Sequence, residues 1–239
     1  MMEERKKNIL FNIVKEHIRS KSPVSSKGLV REYKLNVSSA TVRNIMVELE
    51  EEGYIHQPYT SAGRIPTEKA YRVYLDYLFS PEAKKEWSGG IGGKELDRIK
   101  KFLGEASQDN FKQAAKLIAS TSENAVFWAF NKNNLYYTGV SNLLQQPEFA
   151  KEGLIYDISA IIDQMDEIIA DIFENIPGKE ISVLVGSENP FGKFCSTVLT
   201  KYRSRNKNLG VFGILGPLRM NYQKNISLVG QVLKSLEGK

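Results

Sequence analysis

Residues Ser38 to Arg64 read SSATVRNIMVELEEEGYIHQPYTSAGR. Ser38 or Ser39 supplies a side-chain oxygen for the free backbone N–H groups of a helix start, and Gly53 supplies the left-handed residue that stops it. Between them Val42, Ile45, Met46 and Leu49 recur at i, i+3, i+4 and i+7. That spacing sets one stripe against a core and turns Ala40, Arg43, Asn44 and Val47 outward. Arg pairs bidentately with guanine and Asn with adenine, while Ala and Val suit close approach or a thymine methyl, so the outward face matches what a DNA major groove demands. Glu48, Glu50, Glu51 and Glu52 crowd the far end, where phosphate would repel them, which leaves the N-terminal half to enter a groove.

The flanking residues extend this into a unit. Ile9, Leu10, Ile13, Val14 and Ile18 predict an amphipathic first helix, and Ser25 or Ser26 caps a short second helix ending near Tyr33. Lys34-Leu35-Asn36 turns into the recognition helix. After Gly53, Tyr54-Ile55-His56-Gln57 predicts a short strand closed by Pro58. The loop Tyr59–Arg64 then turns back through Gly63 and presents Arg64 at a tip, as a minor-groove or phosphate contact. The residues placed at the duplex are Ser38, Ser39, Thr41, Arg43 and Asn44 on the helix and Thr60, Ser61, Gly63 and Arg64 in the loop. The same three helices and hairpin also serve as a protein-docking module, in which Arg43 is a solvated helix arginine.

The run Ser38–Leu78, with SSATVRN, LEEEGYI, QPYTSAGRIPT and YRVYLDYL, closely resembles the bacterial heat-inducible transcription repressor family of HrcA type. Residues 137–149, Val185-Gly186-Ser187-Glu188-Asn189 and residues 210–222 resemble that family's C-terminal signatures. The resemblance implies an α+β chain with an N-terminal winged helix-turn-helix domain followed by a small GAF-like α+β domain. It also implies a homodimeric repressor that binds double-stranded DNA at an inverted-repeat operator upstream of chaperone operons, is released on heat stress, and has the chaperonin as co-regulator. One departure stands out. Ala125–Phe130 passes through only Asn131-Lys132-Asn133-Asn134 before Leu135, where the family carries further sensor-domain strands and an inserted dimerisation domain. The dimer interface of longer relatives is therefore expected to be missing.

The domains are expected at 1–80, for DNA binding, and 94–239, for regulation and dimerisation. Pro81 and the run Ser88-Gly89-Gly90-Ile91-Gly92-Gly93 predict a flexible linker over 81–93. In Thr67–Phe79, Tyr71, Tyr74, Leu75 and Leu78 form an apolar face for its own domain or for a second subunit. Helices are expected at Lys94–Leu103 and Asn110–Ser120, paired strands at Ala125–Phe130 and Leu135–Val140, and short strands at Ile181–Val185 and Gly210–Leu215. Leu154–Ile176 carries the longest helical pattern. Its seam of Leu154, Ile158, Ile161, Met165, Ile168 and Ile172, widened by Ile155, Ile162, Ile169 and Ile176, suits a domain core or a dimer contact. Asp163, Glu167, Asp171 and Glu174 line the opposite face, as solvated acids or a divalent-metal site.

The 239 residues, 41% of them apolar, are enough to bury one or two ordinary cores, and a net charge of +5 is compatible with a polyanionic partner. Enzymatic chemistry finds little support. His17 and His56 are the only histidines, which excludes a multi-histidine metal centre, and neither GxxxxGK[ST] nor GxGxxG occurs. No cofactor is expected. Cys195 is the single cysteine, expected as a small buried hydrophobe. No apolar segment predicts a signal peptide or membrane span, so a cytoplasmic location and no membrane partner are expected. The sensor-like half leaves a second possibility open, a winged-helix repressor whose GAF-like domain senses a small molecule.

Overall fold

The computed structural model describes residues 2–81, 83, 93–104, 107–149, 154–176, 180–203 and 209–237. The chain is α+β with antiparallel sheets and divides by its contacts into two units, Met1–Glu86 and Trp87–Lys239. The expected linker over 81–93 lies almost wholly outside the described residues.

In the first unit, α1 (Glu4–Ser20) buries Ile9, Leu10, Phe11, Ile13 and Val14. Ser25 starts α2 (Ser26–Glu32) by accepting the Gly28 N–H at 3.1 Å, and Ser38 starts α3 (Ser39–Glu51) by accepting the Thr41 N–H at 3.0 Å. Each serine thus answers one donor that the helix cannot satisfy itself. Gly53, at φ 75°, stops α3 as its position predicts. Two short strands follow, β1 (Ile55–His56) and β2 (Ile65–Pro66), paired antiparallel. In α4 (Glu68–Phe79), Ala70, Tyr71, Tyr74, Leu75 and Leu78 are buried. The face is taken up within its own unit, where Phe11 meets Tyr74 edge-on at 5.5 Å and Tyr77 at 4.8 Å.

The second unit is built on a five-stranded antiparallel sheet in the order β4-β3-β7-β6-β5. Its strands are β3 (Ala125–Asn131), β4 (Asn134–Thr138), β5 (Ile181–Val185), β6 (Cys195–Arg203) and β7 (Leu209–Pro217). The helices are α5 (Gly93–Gly104), α6 (Gln108–Ser122), α7 (Val140–Leu144), α8 (Leu154–Asp163), α9 (Met165–Asn175) and α10 (Tyr222–Glu237). Side chains alternate across the sheet. Phe127, Leu199, Val211 and Leu215 pack in one cluster with Ile158, Met165, Ile169 and Ile172 of α8 and α9. On the other face Trp128 stacks on Phe111 of α6 at 5.0 Å and donates its indole N–H to the Tyr202 hydroxyl at 2.7 Å.

Two expectations need correction here. The single helix expected over Leu154–Ile176 is two, broken at Gln164. Ile158 of the first piece and Met165, Ile169, Ile172 and Phe173 of the second reach the same cluster, so the wide stripe serves the domain's own core. The interior strand β6, between β7 and β5, has no counterpart among the expected strands. With helices on both faces it is buried throughout except at Arg203, and its polar residues are satisfied internally rather than alternating with apolar ones. Ser196 bonds the Tyr222 hydroxyl at 2.7 Å, Thr197 donates to Asn189 Oδ1 at 3.0 Å, and Lys201 donates to the Phe173 carbonyl at 2.7 Å.

Candidate nucleic-acid interface

Helix α3 presents the face its spacing predicts. Val42, Met46 and Leu49 are buried, while Ala40, Arg43, Asn44 and Val47 are exposed, Val47 at 42%. Its first turn holds no acid. Ser38 Oγ also lies 2.9 Å from Thr41 Oγ1, so both hydroxyls are organised at the helix start. Two of the acids at the other end are engaged: Lys6 pairs with Glu48 at 2.6 Å and Glu52 at 2.8 Å. Those two carboxylates, Glu48 foremost, hold the Lys6 ammonium above its ordinary range.

The hairpin differs from its expected form in two respects. Arg64 stands at the base of the loop, where its N–H donates to the Val24 carbonyl at 2.9 Å and its carbonyl accepts the Val24 N–H at 2.8 Å. The reason is an antiparallel bridge to the residue just ahead of α2, which anchors the strand before it enters β2. Gly63 is required for close approach instead of for turning, because a Cβ there would lie 2.4 Å from the Val24 carbonyl oxygen. The tip consists of exposed Tyr59, Thr60 and Ser61, with Tyr59 64% accessible.

Three residues missed by sequence reasoning shape this surface. Gln57 Nε2 donates to the Thr60 and Ala62 carbonyls, both at 2.9 Å, and so folds the loop onto itself. Glu50, one of the acids that crowd the far end of α3, accepts the Gln57 N–H on Oε1 and the Arg64 Nε–H on Oε2, both at 2.8 Å. Tyr59 is an exposed aromatic at the tip, readable in outline from its place between Pro58 and a polar loop. Between the start of α2, α3 and the hairpin lies a groove of about 410 Å³. Ser25, Ser26, Arg43, Thr60, Ser61, Gly63 and Arg64 contribute to its lining, so it joins residues of both predicted contact segments.

Neither histidine has the setting of a catalyst. His17 Nδ1 lies 2.8 Å from the Tyr71 hydroxyl between two helices of the core, and His56 is exposed on a two-residue strand. Among the described residues no group of three His, Cys, Asp or Glu is arranged to hold a metal ion, and no helix is long and apolar enough to cross a membrane. Asp163, Glu167, Asp171 and Glu174 are exposed, with Glu174 paired to Lys132 at 2.8 Å. In the second unit, Phe127, Leu143, Ile158, Met165 and Leu215 help line an apolar cavity of about 20 Å³. That is room for about one water molecule and for no drug-sized ligand.

The family signatures of this unit form a structural knot. Asn142 Nδ2 donates to the carbonyls of Ala119 and Asn124, both at 3.1 Å, and Gln146 Nε2 donates to those of Asn142 and Glu123. Arg219, 5% exposed, donates from Nη2 to Gln146 Oε1 and Glu148 Oε2, both at 2.8 Å. The loop after β7 is thereby tied to the segment after β4.

A helix with an exposed, acid-free start beside an anchored hairpin, joined to a separate unit with a closed core, is the make-up of a bipartite transcription regulator. The chain belongs to the HrcA family: the family model described as "HrcA protein C terminal domain" matches residues 88–226. It is similar to the heat-inducible transcription repressor HrcA of Thermodesulfovibrio yellowstonii, 26% identical over an alignment 339 positions long that covers 99% of this chain and 97% of the relative. Its similarity to the HrcA repressor of Carboxydothermus hydrogenoformans is 27% over 336, with coverage of 99% and 97%. These relatives are about 100 residues longer than this 239-residue chain. A solved structure described as a hypothetical protein at 2.2 Å resolution shares the fold, with a TM-score of 0.78, 19% identity and coverage of 100% of this chain and 98% of that one. The family is one of heat-shock transcription repressors, not of enzymes.

Proposed function

We propose that the first unit is a winged-helix DNA-binding domain, that the second is a GAF-like regulatory domain, and that the chain is a sequence-specific repressor of chaperone operons. The repressor acts in the cytoplasm as a homodimer on an inverted-repeat operator, and heat releases it, with the chaperonin as co-regulator. The observation that carries this reading is the groove between α2, α3 and the hairpin, into which the exposed face of α3 brings Arg43 without an acidic residue in the helix's first turn. Arg43 and Asn44 are assigned to base edges, and Ser38, Ser39, Thr41, Thr60, Ser61, Gly63 and Arg64 to the duplex backbone and minor groove. The names of the relatives support the repressor role, and the cavity of about 20 Å³ beside Phe127 and Ile158 gives the small-molecule alternative no added weight.

The test is fluorescence anisotropy of the full chain with a labelled inverted repeat, a single half-site and a scrambled duplex, across several salt concentrations, with solution mass recorded alongside. Tight binding of a dimer to the full repeat is expected, together with a loss of about 1–3 kcal/mol and relaxed base preference in Arg43→Ala. Equal, weak and steeply salt-dependent binding to all three duplexes would contradict the reading.

A further inference from the structure

Glu50 is an acid in a basic groove's support, and its two oxygens serve different masters on the hairpin. Oε1 accepts the backbone N–H of Gln57 and Oε2 accepts the Nε–H of Arg64, each at 2.8 Å. The Arg64 backbone is held independently, by its two hydrogen bonds to Val24 and by the contact of Gly63 with the same residue. Arg64 is therefore fixed at its main chain and again at Nε. Its side chain is only 19% exposed, yet it lines the same groove as Arg43. Among the described residues, Nε is the Arg64 side-chain atom engaged in pairing. A guanidinium held at Nε keeps its two terminal amino groups as a planar fork, the geometry that takes phosphate or a base edge bidentately.

We infer that Glu50 is a positioning residue for DNA recognition. It acts through Arg64, setting the guanidinium fork in the groove beside Arg43, without itself touching the duplex. The inference rests on the DNA-binding reading above. A consequence separates it from simple charge attraction. The carboxylate offsets the arginine's charge, so Arg64 contributes geometry more than non-specific pull on phosphate. Replacing Glu50 by Gln keeps the shape and one acceptor but frees the arginine from its anionic anchor.

The experiment compares the full chain with Glu50→Gln, Arg64→Ala and the double variant, using anisotropy on the inverted repeat and its scrambled counterpart at several salt concentrations. Thermal midpoints are measured for each protein. In Glu50→Gln the preference for the repeat falls roughly tenfold, the scale of one lost base-edge contact in the minor groove to which Arg64 is assigned. Its salt slope on the scrambled duplex steepens by up to about one, because one positive charge is no longer compensated. In the Arg64→Ala background the same Glu50 change alters neither quantity. An equal loss on both duplexes in both backgrounds, accompanied by a lowered midpoint, would make Glu50 a brace of the fold and overturn the inference. Unchanged preference in Glu50→Gln would overturn it while leaving the DNA reading intact. A parent chain that shows no preference for the repeat would overturn the DNA reading and this inference with it.

Discussion

Replacement of Ser38 separates the folding role of the α3 start from its proposed role at the duplex. Ser38 Oγ accepts the Thr41 N–H at 3.0 Å, and no acid lies in the helix's first turn. In Ser38→Ala that N–H loses its partner, at a cost of about 1 kcal/mol. For a unit spanning Met1–Glu86 this lowers the melting midpoint by roughly 4–8 °C. Ser38→Asp preserves the cap and adds a favourable interaction of about 0.3–1 kcal/mol with the helix dipole, so its midpoint equals or exceeds the parent's. The same carboxylate faces phosphate if the helix start enters a groove. Repulsion of about 1–2 kcal/mol at a solvated distance of several ångströms weakens duplex binding close to tenfold, most at low salt. Calorimetry of the full chain reads the first quantity and anisotropy the second. Ser38→Ala should lose stability and, with it, the modest share of DNA affinity that one backbone contact contributes, whereas Ser38→Asp should keep its stability and lose close to tenfold in affinity. A destabilised Ser38→Asp would refute the cap argument. Undiminished binding by a stable Ser38→Asp would show that the start of α3 does not face the duplex.

Arg219→Met removes the partner of Gln146 and Glu148; because Glu148 is one-third exposed, roughly 2–3 kcal/mol is lost, about 5–10 °C in the second unit's midpoint by calorimetry. Tyr202→Phe strands the buried indole N–H of Trp128, at a cost of about 1–2 kcal/mol in urea unfolding, and a cost near zero would mean that the 2.7 Å bond contributes nothing. Burial pushes the Cys195 thiol up to about 12, so the native chain should resist thiol reagents at pH 8 and react only on unfolding. Because the folded value exceeds the unfolded one, this thiol's contribution is fully present below about pH 8.5 and is lost as pH rises towards 12; Cys195→Ala should show a shallower alkaline decline in stability.

The parts of the first unit legible in sequence are those fixed by neighbours a turn apart. Ser38 with Thr41 and the Val42–Met46–Leu49 stripe are local patterns, and a cap or a helix face follows from them directly. Glu50 was unreadable for the opposite reason. Its neighbours Glu48, Glu51 and Glu52 suggest a solvated acidic end, whereas its partners Gln57 and Arg64 lie 7 and 14 positions away, across a hairpin whose anchor is Val24. Arg64 was misplaced at a tip because the bridge to Val24 links segments 40 residues apart, which no turn signal encodes. Strand β6 was hidden by burial on both faces: without a solvent side it has no alternation, and Ser196, Thr197, Thr200 and Lys201 are polar residues in the interior.

The short turn between β3 and β4 bears on what the longer relatives add. Asn131 Oδ1 accepts the Asn133 N–H at 2.9 Å, and Asn131 pairs with Asn134 across the ladder, so the hairpin closes by its own side-chain chemistry. Its register then runs from Leu135 opposite Ala129 to Thr138 opposite Val126, after a single irregularity. Phe127, Ala129 and Leu135 join one cluster with α8 and α9, while Trp128 and Phe111 stack on the other side of the sheet. Both faces are therefore covered by residues this chain already has. The roughly 100 residues by which the relatives exceed it are not needed to complete the described core. The chain is expected to unfold cooperatively within each unit, and the solution mass measured beside operator binding decides whether a dimer forms without them.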